Sequence, residues 1–222
     1  MIKLEKTDVM NMENAIRGAR NPMNSWDRSD SDWEFVEDPS VINPNDQVLF
    51  VLGPNDLTLA RKLIKAGSDH RKFLRQIFVS VDITAPLYWW KEFDTYKVGT
   101  VANSCSTMHK IHAKEFSFDD FSTEHLTGSS WITLDEIIEH LNWARESYIK
   151  TNDKIYWWQM IQLLPTSYNQ LRTCTLNYET LLNIYHARKN HKLDEWHTLC
   201  DWIETLPYFK EMCLEGAKDG NQ

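Results

Sequence analysis

Residues Gln76 to Ile83, QIFVSVDI, constrain the fold more than any other stretch of the chain. Ile77, Val79, Val81 and Ile83 alternate with Gln76, Phe78, Ser80 and Asp82. Period-two patterning of this kind puts one row of side chains on a buried face, so the segment is a strand and the chain contains a sheet. Upstream, Asn55 or Asp56 caps a helix through Lys65, with Leu57, Leu59, Ala60, Leu63 and Ile64 as its apolar face and Gly67 as its stop. Downstream, Pro86 opens PLYWWKEF, one or two helical turns with proline first.

The remaining elements read as a mixture. Met10 to Arg20 is a short helical candidate, and Val48 to Leu52 a short strand. Residues 21–48 are rich in Asn, Ser, Asp and Pro and read as a long loop. Its Trp26, Trp33 and Phe35 suit either a packed active-site flap or a surface excursion. Lys97 to Ser106 is a loop with strand character, and residues 112–131 are polar and irregular. Thr133, with Glu136 three residues on, forms a capping box for a helix through about Tyr148. Asp153 begins a second helix that stops at Pro165, and helical stretches are predicted at roughly 168–188 and 194–204. With no internal repeat or low-complexity linker, these elements indicate one α/β domain spanning residues 1–222.

Composition excludes several function classes. A formal net charge of -8 without a Lys/Arg block argues against nucleic-acid binding, while leaving room for a small anionic ligand that needs only a few local cations. The four cysteines, Cys105, Cys174, Cys200 and Cys213, are scattered and read as reduced thiols rather than a zinc site or disulfide framework. No apolar run approaches a membrane span, and the N-terminus lacks a signal-like core, so a cytoplasmic protein without membrane partners is expected. The ten tryptophans suit an aromatic core, or walls around a planar ligand.

The order of motifs resembles the flavin-dependent thymidylate synthases. In that family a helix ends in a Gly-His turn, and the following strand leads through Ala-Pro to a signature loop, R-H-R-x-x-S-x-N-E-x-S-x-R. Gly67 and His70, the strand 76–83, Ala85-Pro86 and the loop 95–108 follow that order. In the second half, Leu164-Pro165, Asn177-Tyr178-Glu179 and Arg188 follow the family's Leu-Pro, Asn-Ala-Arg and later Arg. The likeness spans roughly residues 12–210. Its departures concern charge. Thr95, Tyr96 and Lys97 stand where the family has Arg-His-Arg, Ser104 replaces the acidic residue, Met108 the final Arg, and Glu179 the Arg of Asn-Ala-Arg. Asn103 and Ser106 match after a one-residue shift.

This resemblance implies an α/β (α+β) fold with a central, mostly antiparallel sheet and several packed helices. It implies FAD as cofactor, with methylenetetrahydrofolate and NADPH as co-substrates, and a homotetramer with sites shared between subunits. The activity implied is methylation or a related one-carbon modification of a pyrimidine deoxynucleotide such as dUMP. Carried over by position, His70, Lys97, Asn103 and Asn177 become cofactor-binding candidates, and Glu92, Ser104, Ser106 and Arg188 substrate-binding candidates.

All of these candidates but Glu92 have a plainer reading. His70 also suits a surface turn, Asn177 a helix N-cap, and Arg188 a helix C-terminal cation. Lys97 suits a solvated side chain, and Asn103, Ser104 and Ser106 suit turns. Arg71, Lys72 and Arg75 form a basic cluster that either receives a phosphate or faces solvent. Because guanidinium forks hold phosphate in a way neutral side chains do not, the arginine-poor loop favours a second function class. That alternative is a non-catalytic nucleotide-binding or protein-interaction protein on the same fold.

Overall fold

A computed structural model describes residues 2–35 and 48–215. Its centre is a four-stranded antiparallel sheet in the order β1 (Lys3–Met10), β4 (Phe78–Pro86), β6 (Asn169–Asn177), β5 (Val101–Ser104). A separate hairpin pairs β2 (Asp32–Phe35) with β3 (Val48–Val51). The strand expected from alternation is β4, beginning two residues later than its pattern, because Gln76 still belongs to a 3-10 turn over Lys72–Gln76. Ile77, Val79, Val81, Ile83 and Ala85 are buried in a row, whereas Ser80, Asp82 and Thr84 face outward.

The buried face of the sheet is covered by α1 (Met12–Arg20), α2 (Pro54–Lys65), α3 (Leu87–Phe93), α7 (Tyr178–Arg188) and α8 (Asp194–Glu204). Trp89, Trp90, Trp196, Tyr178 and Phe209 are its largest fully buried side chains. Part of the tryptophan content therefore builds the core, as expected for large apolar rings. A second cluster lies beneath α5 (Ser129–Thr151) and α6 (Lys154–Leu163), where Leu134, Ile138, Leu141 and Met160 meet Phe116 and Phe121. The short α4 (Thr107–Lys110) follows β5.

Several expectations are corrected. The helix predicted at 168–188 is in fact β6 followed by α7. β1 fell in a segment read for neither strand nor helix over most of its length. Helix α5 starts at Ser129 after Gly128 in a left-handed conformation (φ +53°), and Thr133 sits inside it with its hydroxyl donating to the Ser129 carbonyl. Helix α2 starts at Pro54, so neither Asn55 nor Asp56 is its cap. Asp30 does that work from a distance, its carboxylate accepting from the Asn55 N–H at 2.8 Å and the Asp56 N–H at 3.1 Å.

Asp56 is thereby freed for a buried ion pair. Arg20 Nε lies 2.5 Å from Asp56 Oδ1, while the Ser29 and Ser31 hydroxyls donate to Oδ2 at 2.7 and 2.6 Å. Burial pushes the Asp56 pKa up, but the hydrogen bonds from Ser31, Ser29 and Arg20 outweigh it and leave the value below 3.8. This network fixes the first part of the predicted long loop; residues 36–47 of that loop lie outside the described residues.

Candidate functional site

The C-terminal end of β6 runs directly into α7, and this junction organises the candidate site. Asn177 caps α7, its Oδ1 accepting from the Thr180 N–H at 2.9 Å. The Thr180 hydroxyl reaches across and donates to the Val98 carbonyl at 3.1 Å. That bond holds the loop 95–99 over the start of the helix. Gly99 makes the approach possible: its φ is +73°, and a Cβ there would stand 2.5 Å from Asn177 Nδ2 and 2.9 Å from Thr180 Oγ1.

Between loop and helix lies a cleft of about 420 Å³, into whose wall Thr95, Lys97, Asn177, Glu179 and Asn183 all enter. Such a volume suits one ring system with a few polar contacts. Glu179, only 6% exposed, has both oxygens engaged: Arg71 Nε donates at 3.1 Å and Arg75 Nε at 2.8 Å. Two members of the basic cluster read from the sequence thus hold the Glu179 carboxylate, while Lys72 and Arg75 remain exposed and Arg75 also lines the cleft.

A second cluster stands behind Tyr96, a further residue of the cleft wall. Arg188 Nε donates to the Tyr96 hydroxyl at 2.8 Å, and Nη1 pairs with Glu92 Oε2 at 2.7 Å. The same Glu92 oxygen accepts from Trp196 Nε1 at 3.2 Å and lies 3.3 Å from His191 Nε2. The guanidinium also stacks over Trp196, 4.6 Å from its ring centroid. Arg188 is therefore fixed by a carboxylate, a phenol and an indole, rather than only complementing a helix dipole.

The sequence-predicted residues thus divide. Lys97 and Asn177 meet in the cleft, with Glu92 and Arg188 joined to it through Tyr96. Asn103 and Ser104 lie on the exposed edge strand β5, opposite Thr173 and Arg172 of β6. Ser106 caps α4, its hydroxyl accepting from the His109 N–H at 3.0 Å. His70 is exposed on the turn after α2 and outside the cleft lining. Sequence reasoning missed Gly99, Thr180 and Asn183 as a set. The signal for Thr180 and Asn183 was spacing, three and six residues after the Asn177 cap on adjoining turns of one helix.

The chemistry available is binding and positioning. Burial pushes the thiols of Cys174 and Cys213 up to about 12 and that of Cys200 up to about 11, so these three are protonated near neutrality and unsuited to nucleophilic attack. No cluster of ligating side chains suited to a metal ion occurs among the described residues. No described helix is long and apolar enough to cross a membrane.

The fold is similar to that of solved flavin-dependent thymidylate synthases. The structure of ThyX from Helicobacter pylori complexed with FAD and dUMP matches with a TM-score of 0.66, covering 96% of this chain and 98% of that one at 15% identity. A UMP/dUMP methylase, PolB from Streptomyces cacaoi bound with 5-Br UMP, matches with a TM-score of 0.60 over 92% of this chain and 87% of that one, at 12% identity. No protein-family model matches the sequence, and no curated protein matches it significantly. The mixed fold with a central antiparallel sheet and surrounding helices is as the motif order implied.

Proposed function

We propose that this chain binds a flavin and a pyrimidine deoxynucleotide at the cleft between loop 95–99 and α7, and acts on the nucleotide by dUMP methylation or a related one-carbon modification. One observation carries the reading. Two segments that resemble the family's motifs, far apart in sequence, meet in a single cleft, within a fold whose solved neighbours hold FAD and dUMP.

The Asn177 Oδ1 is spent on the helix cap, and its amide nitrogen packs against Gly99 in the space that a Cβ would need. In this reading Asn177 and Lys97 hold the cofactor, and Arg188, its charge partly offset by Glu92, serves the nucleotide. His70, Asn103, Ser104 and Ser106, which stand outside the cleft of one protomer, complete sites formed between copies in a tetramer. FAD supplies hydride chemistry when bound, methylenetetrahydrofolate the carbon and NADPH the reducing equivalents.

A second reading, binding without turnover, is favoured by one feature. Arg188 is paired with Glu92, and Arg71 and Arg75 share Glu179, so each of these three guanidiniums already engages a carboxylate. The visible spectrum of the purified protein, together with rescue of a thymidine-requiring strain, separates the readings. Flavin bands with rescue support the enzyme, and flavin bands without rescue support the binder. A colourless protein that takes up no added FAD contradicts the flavin-dependent enzyme.

A further inference from the structure

A larger cavity lies on other elements, where the β1–α1 junction, the β2–β3 hairpin and the turn at 207–211 converge. It encloses about 710 Å³, within the range of pockets that hold a drug-sized organic molecule. Its walls include Met12, Trp33, Phe50 and Tyr208, and two acidic residues, Glu13 and Glu211, belong to its lining. Among the described residues of the lining there is no lysine, arginine or histidine.

Three features show a built wall. Trp33 and Phe50 meet edge to face, with ring centroids 5.6 Å apart, and Trp33 Nε1 donates to Glu13 Oε2 at 3.1 Å. The carboxylate is thereby held against the indole edge. Tyr208 has φ +56°, an uncommon conformation for a bulky side chain, and its hydroxyl accepts from the Leu52 N–H at 3.1 Å. Asn11, at φ +70°, lines the same cavity. Yet Trp33 remains 53% exposed on its hairpin, a large apolar surface that a bound ring would cover.

We propose that this cavity is a second ligand site, selective for an aromatic organic cation. The rings supply stacking and cation–π attraction, and Glu13 and Glu211 supply the opposite charge. An anionic ring system such as a nucleotide would meet two acidic residues with no cation among the described residues of the lining to offset them, so the site is distinct in chemistry as well as in place from the cleft at α7.

Calorimetric titration of the full chain with N-methylacridinium, neutral acridone and anthracene-2-carboxylate tests this. The expected result is saturable one-to-one binding of the cation, about tenfold or more tighter than acridone, with no saturable binding of the anion. In the double variant Glu13→Gln/Glu211→Gln the cation should fall to the affinity of acridone, and Trp33→Leu should weaken both. The carboxamides conserve volume, and the two single variants, each expected to lose part of the preference, cover a double variant that does not fold. Absence of saturable binding to the wild type, equal binding of cation and acridone, or a preference that survives both carboxamides overturns the proposal. None of these outcomes bears on FAD uptake at the α7 cleft.

Discussion

At Gly99 the backbone sits at φ +73° and the nearest side-chain atom is 2.5 Å from where a Cβ would stand, so two independent constraints exclude larger residues. Gly99→Ala is expected to destabilise the fold by about 1–3 kcal/mol and to abolish ligand uptake at the cleft, read by urea denaturation and FAD titration. Glu92 poses a different question. With its oxygen 2.7 Å from Arg188 Nη1, its charge offsets the cation at that motif position. Glu92→Gln should raise dUMP affinity about tenfold by calorimetry, since a guanidinium without a charged partner is a stronger phosphate donor. An unchanged affinity would contradict Arg188 as a nucleotide contact. Both roles were partly legible in the sequence: Arg188 and Asn177 by motif position, but Glu92's partners only by folding, because 96 positions separate it from Arg188.

Element boundaries were read well where local chemistry decides them and poorly where tertiary pairing does. The Asp153 cap of α6, its stop before Pro165 and the 194–204 helix follow local signals. β6 does not: Gln170 and Arg172 interrupt its inward row with polar side chains, which mimics an amphipathic helix. Gln170 is accommodated because its Nε2 donates to the Cys105 carbonyl at 2.7 Å, and Arg172 because it stacks over Trp90 and pairs with Asp94. The β-branched Thr173 and Thr175 were the available strand signal. At the head of α7, Asn177→Ala should cost about 1 kcal/mol of stability by loss of the cap, with a larger effect on flavin uptake than on folding.

The pair at the head of α2 makes a sharper test of element-scale energetics. Asp56→Asn leaves Arg20, 4% exposed, without its counter-charge, and should destabilise by about 3–5 kcal/mol in urea. The folded pKa of Asp56 lies below its ordinary 3.8, so its contribution is fully present above the unfolded value and is lost as pH falls through the folded one. Wild-type stability should therefore decline below about pH 4, and the Asn variant should decline less over that window.

For the whole molecule, one alternating strand and an ordered series of motifs pointed to the right architecture despite 15% identity to a solved neighbour. The reason is physical: the fold rests on a one-sided sheet with β4 at its interior and helices on the buried face, and that pattern survives replacement of most side chains. The site is less legible, because its charges are paired across distant positions. Glu179 holds Arg71 and Arg75, and Glu92 holds Arg188, pairings that motif positions alone do not reveal. The central claim, that the cleft still holds a flavin, is tested most directly by thermal denaturation across an FAD titration. At a hundredfold excess over its dissociation constant, FAD should raise the midpoint by roughly 5–10 °C in the wild type and leave Gly99→Ala unmoved. A wild-type midpoint that FAD does not shift would contradict the account.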